Sequence, residues 1–136
     1  MKDNINAFVP HNIAQKLRDA GFDEPCMSFY WKDGELAGYC AKNVSAGYTL
    51  EDMSQSSISD CLAPTYEQVC EWLRKKHHTH IQVEYSWKLG SMDTSYFPRL
   101  IKISGQGKGG GEKIFEYYDE YVLAQQKGIE EVLNRI

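Results

Sequence analysis

The sequence predicts an α+β fold: a two-layer sandwich with a mostly antiparallel sheet and helices on one face. Three observations predict it. Residues 81–88 alternate apolar and polar side chains, the period of a half-buried strand. Three stretches, 10–20, 65–77 and 120–135, repeat apolar residues at helical spacing. The strand-like segments are joined by short turns, one carrying Asp33-Gly34, so neighbouring strands must run antiparallel. The chain has 136 residues, the size of one domain with one core, and we read 1–136 as a single α+β domain.

The first helix is expected from Pro10 to Ala20, with Ile13, Leu17 and Ala20 on one face. Proline suits a helix start because its missing N–H would have no partner there. Gly21 can end the helix in a left-handed conformation, letting Phe22 fold back on it. Cys26–Trp31 and Leu36–Cys40 then form a hairpin about Asp33-Gly34. Residues 41–63 are polar and serine-rich without sustained periodicity, and they read as a long loop with room for a short strand or turn.

Thr65 and Gln68 have the spacing of a capping box, in which hydroxyl and amide satisfy exposed backbone groups at a helix start. Tyr66, Val69, Cys70, Leu73 and His77 follow on one face, flanked by Trp72, and Arg74, Lys75 and Lys76 suit the negative end of the helix dipole. Strands are expected over Ile81–Lys88, Tyr96–Ser104 and Glu112–Tyr117, a meander whose Pro98 suggests an edge or a strand start. Asp119 is placed to cap a last helix from Glu120 to about Arg135, with Tyr121, Ala124, Gly128, Val132, Leu133 and Ile136 inward. Glycine inside a helix costs roughly 1 kcal/mol against alanine, so Gly128 points to close approach of helix and sheet.

Composition narrows the function classes. The chain is 42% hydrophobic and 25% charged, as folded domains are. A net charge of −4 argues against nucleic-acid binding, which needs a concentrated basic face. Apolar runs are too short to span a bilayer, so no membrane partner is expected. The first residues lack the apolar core of a signal peptide, so the expected compartment is the cytosol. There Cys26, Cys40, Cys61 and Cys70, none in a Cys-x-x-Cys pair, should be free thiols.

Phe8-Val9-Pro10 runs into Ile13-Ala14, and Gly21-Phe22-Asp23-Glu24-Pro25-Cys26 follows. Further on come Ala63-Pro64-Thr65-Tyr66, Trp72-Leu73-Arg74, His80-Ile81 and Gly128-Ile129-Glu130. Together these stretches resemble a group of small proteins of unknown function encoded in prophage-like and mobile regions of Bacteroidales genomes. The resemblance covers most of the chain and implies a compact α+β domain. It carries no catalytic residues across.

The chemistry-bearing clusters are incomplete. His77-His78-Thr79-His80 offers two metal ligands, and no second pair completes a zinc site. Gly105–Gly111 has Lys108 followed by glycine rather than Ser or Thr, and a strand rather than a helix should follow, so it is no phosphate loop. Cys70 and His77 share a helix face about 10 Å apart, too far to pair. Asp23-Glu24 and Glu130-Glu131 read as solvated faces. We therefore expect no catalytic residue, no cofactor and no metal.

Aromatics make up 12% of the chain, with nine tyrosines, and one small core cannot take Tyr30, Trp31, Tyr96, Tyr117, Tyr118 and Tyr121 together. Tyrosine buries its ring at interfaces while its hydroxyl stays satisfied. The sequence thus favours a non-enzymatic protein-binding or accessory factor of a mobile element over an enzyme or a nucleic-acid factor. Tyr96, Leu100 and Tyr117 are its expected interaction surface, either for a protein partner or for self-association through a sheet face that the helices leave uncovered.

Overall fold

A computed structural model describes residues 7–38, 47–87, 94–102, 112–113, 118 and 120–136. The fold is α+β, and every strand pairing among the described residues is antiparallel. The strands belong to two three-stranded sheets rather than to the one sheet expected, and the chain divides into two units, Met1–Gln68 and Val69–Ile136. Each unit is described by itself.

In the first unit, helix α1 spans His11–Asp19 with Pro10 at its N-cap. Its end follows the sequence closely. Gly21 takes φ +93, the Gly21 N–H donates to the Arg18 carbonyl, and the Phe22 N–H donates back to the Leu17 carbonyl. This Schellman arrangement satisfies the last carbonyls and buries the Phe22 ring against the helix it ends. Strands β1, Phe29–Trp31, and β2, Leu36–Ala37, form the expected hairpin, shorter than predicted. Gly34 takes φ +91 in its turn, the Trp31 N–H donates to the Glu35 carbonyl, and Asp33 Oδ1 accepts from the Glu35 N–H.

The stretch 41–63 is not an unstructured loop where it is described. Tyr48 bridges back to Cys26, helix α2 spans Leu50–Gln55, and strand β3 spans Ser59–Leu62. A second capping box starts α2: Thr49 Oγ1 accepts from the Asp52 N–H while Asp52 Oδ2 accepts from the Thr49 N–H. β3 then completes a sheet of order β2-β1-β3. Serine-rich composition hid these elements because they depend on local capping and on pairing with a distant strand, neither of which leaves a periodic apolar signal.

Helix α3 spans Tyr66–His77. Its capping box is formed as expected: the Gln68 N–H donates to Thr65 Oγ1 at 3.2 Å and the Thr65 N–H to Gln68 Oε1 at 3.3 Å. Gln68 Nε2 also donates to the Pro25 carbonyl at 2.7 Å, so one side chain caps the helix and holds a loop.

In the second unit, β4 (Thr79–Trp87), β5 (Thr94–Lys102) and β6 (Glu112–Lys113) form the expected meander, and α4 spans Tyr121–Arg135. The β4–β5 register pairs Ile81 with Leu100, Val83 with Pro98 and Tyr85 with Tyr96. These six residues share one face, and α4 packs on it: a Cβ on Gly128 would lie 2.6 Å from Ile81 Cγ2 and 3.1 Å from Pro98 Cβ. Gly128 is therefore the point of closest approach that its helix-interior position implied. Two further expectations need correction. Tyr121 and Ile136 lie half exposed at the two ends of α4 rather than inward. The N-cap of α4 is Glu120, without a side-chain cap bond, and Asp119 lies outside the described residues, as do the glycine run 105–111 and Cys40.

Pro98 does not mark an edge, because β5 is the central strand of its sheet. The Tyr96 N–H donates to the Tyr118 carbonyl, on the side away from β4. Backbone N–H groups two apart point the same way, so the Pro98 ring nitrogen also faces away from β4 and no rung of the β4–β5 ladder is lost.

Two stability effects follow. Thr65→Ala should lower stability by roughly 1 kcal/mol, read as an earlier urea midpoint. Gly128→Ala should also destabilise, by about 1–2 kcal/mol, although alanine is the better helix former, because overpacking against Ile81 and Pro98 outweighs propensity. A Gly128→Ala midpoint at or above the parent value would show that Ile81 yields.

Candidate functional site

Helix α1 places His11, Gln15 and Arg18 at i, i+4 and i+7, a polar stripe beside the apolar stripe of Ile13, Ala14 and Leu17. Strand β3 brings Asp60 to that stripe. The way it does so is a break in pairing: Tyr30 pairs with Cys61 and Trp31 with Ser59, which leaves Asp60 as an extra residue with no partner across the strand. A β-bulge of this kind re-aims a side chain. Here it turns the carboxylate onto the helix.

Asp60 is then fully engaged. His11 Nε2 donates to Oδ2 at 2.6 Å, Gln15 Nε2 donates to the same oxygen at 2.9 Å, and Arg18 Nη1 donates to Oδ1 at 2.5 Å. Burial opposes ionisation of this carboxyl, and the bonds from His11, Gln15 and Arg18 outweigh it, so its pKa is held below the ordinary carboxylate value. His11 is fixed from two further sides. Its ring lies 4.9 Å from that of Tyr30, whose hydroxyl donates to the Val9 carbonyl at 2.6 Å, and its Nδ1 sits beside Gly34, whose Cβ position would be 3.4 Å away.

The same bulge brings Cys61 into the group: donor atoms of His11, Asp60 and Cys61 all lie within 4.8 Å of one another. The set does not suit a metal ion or a thiol nucleophile. A cation would have to displace the Arg18 guanidinium and the Gln15 amide from a carboxylate that already has its charge balanced. Cys61 is wholly buried, and burial pushes its thiol up to about 12, so thiolate is scarce near neutral pH. What the arrangement does is clamp α1 to β3.

Beside the clamp, on the same unit, the hairpin turn and the start of β3 enclose an open groove of about 460 Å³ lined by Trp31, Lys32, Asp33, Ser57 and Ile58. Both walls are held by backbone bonds. The Lys32 N–H donates to the Ile58 carbonyl at 2.9 Å, and the Gly34 N–H donates to the Trp31 carbonyl at 2.9 Å. Trp31 meets the Phe29 ring edge-on at 4.7 Å, and Phe29 in turn meets Tyr48 at 4.8 Å. Ile58 has no such cover and is 61% exposed.

The residues expected to form an interaction surface are placed in the second unit. Tyr96 is half-buried between Tyr85 and Tyr121, at ring distances of 5.4 and 6.0 Å. Leu100 is buried on the face that α4 covers, and Phe97 on the opposite face is buried too, so neither supplies the uncovered apolar surface expected. The opposite face carries Gln82 and a two-point ion pair, Arg99 to Glu84 at 2.7 and 3.1 Å. Tyr117 lies outside the described residues. His77 and His80 are not brought together with the buried cysteines among the described residues: His77 packs on Trp72, while burial, and then Arg74, lower the pKa of His80. No helix among the described residues is long and apolar enough to cross a membrane.

No protein-family model, curated protein or solved structure matches the chain.

The Asp60 clamp has a pH signature. A carboxylate whose folded pKa is depressed contributes stability above its unfolded value, near 3.9, and loses it as pH falls through the folded value. Asp60→Asn should therefore destabilise the chain at pH 7 by on the order of 1–3 kcal/mol, with the gap to the parent closing below about pH 4. Thermal melts across this range check it, and a gap that stays constant with pH would show that the bonds, not the charge, carry the effect.

Proposed function

We propose that the chain is a non-enzymatic protein-binding factor, acting as an accessory protein of a mobile genetic element, and that it grips a partner segment in the groove between Trp31 and Ile58. The observation that carries this reading is the groove itself. An apolar side chain more than half exposed, beside an aromatic on a hydrogen-bonded turn, is a preformed anchor point. Its backbone needs no reordering on binding, which lowers the entropic cost of association. The polar cluster next to it supports the same reading from the other side, because its groups are occupied in joining α1 to β3.

The reading is tested by selecting a displayed peptide library on the whole chain. Enriched peptides should bind Ile58→Ser at least about tenfold more weakly than the parent, a loss of about 1.4 kcal/mol. Circular dichroism confirms that this exposed-site variant is folded, and Trp31→Ala should weaken the same peptides. An empty selection, or peptides indifferent to both variants, overturns the assignment.

A further inference from the structure

We infer that the occupant of this groove is a basic peptide segment carrying an apolar anchor, an inference that rests on the binding role proposed above. The net charge of −4 is not spread along the chain. Residues 1–68 hold ten Asp and Glu against five Lys and Arg, whereas residues 69–136 hold nine against ten. The unit that contains the groove is therefore the acidic one.

The asymmetry sharpens at the groove. Between Trp31 and Leu62 the sequence holds Asp33, Glu35, Glu51, Asp52 and Asp60 against Lys32 and Lys42. Of these acids, Asp60 is neutralised by Arg18. Asp33 lines the groove, Glu35 is exposed on the same turn, and Glu51 and Asp52 are exposed on α2, the helix that runs into Ser57 and Ile58. Lys32 is the single basic lining residue. The carboxylates of Asp33 and Glu35 on this turn attract lysine or arginine at long range, and Trp31 with Ile58 seats an apolar side chain at short range. The same field repels nucleic-acid phosphates and a second copy of this acidic unit.

Fluorescein-labelled peptides with one central Leu-Trp anchor, flanked by lysine, glutamine or glutamate, are titrated into the whole chain and followed by anisotropy. The lysine peptide should bind at least about tenfold tighter than the glutamine peptide, with the advantage shrinking at high salt. The glutamate peptide should bind weakest. Ile58→Ser should weaken all three, and Asp33→Asn with Glu35→Gln should remove the lysine advantage. Equal affinities that still depend on Ile58 would overturn the basic partner and leave the groove assignment standing. Lysine-peptide binding that ignores Ile58 would place the attraction elsewhere and overturn both.

Discussion

The first unit turns on one carboxylate. Asp60 gathers His11, Gln15 and Arg18 from three successive positions of one helix stripe, and a β-bulge delivers it to them. Buried polar groups are costly unless fully paired, and this one is paired at both oxygens. Because the bulge shifts the pairing of β3 against β1, it also sets where Ser57 and Ile58 leave the sheet. The wall of the groove and the clamp on the helix are thus two consequences of one inserted residue.

That coupling bears on the proposed function. Interaction sites work best on rigid supports, since a loop that must order on binding gives up part of its affinity. Here the hairpin turn is fixed by Gly34 and Asp33 and tied to the start of β3 through Lys32 and Ile58. The catalytic reading of His11, Asp60 and Cys61 fails for a related reason. The groups that would do chemistry are saturated by internal partners, and the thiol among them is buried and protonated.

The second unit is governed by a different constraint, the spacing between a helix and its sheet. Gly128 lets α4 come within van der Waals contact of Ile81 and Pro98, and Pro98 can occupy a central strand because its missing donor faces away from the long β4 ladder. Glycine and proline, usually breakers, are here the residues that permit close packing. The helix covers the face bearing Tyr96 and Leu100, which leaves Tyr85 and Tyr121 as the exposed aromatic rim of that packing.

By itself the sequence determined the features whose causes are local. The caps at Thr65 and Gly21, the Asp33-Gly34 turn, the alternating strand at Ile81 and the glycine contact at Gly128 were all legible, because each is a property of a few neighbouring residues. Even the polar stripe of α1 was readable in principle from the spacing of His11, Gln15 and Arg18. The tertiary structure alone decided that the strands separate into two sheets, that β3 emerges from a serine-rich stretch, and that Asp60 meets that stripe across more than 40 residues of chain. These depend on strand pairing between distant segments and on a one-residue slip in register. A slip of that kind leaves composition and periodicity unchanged, yet it redirects every side chain that follows it.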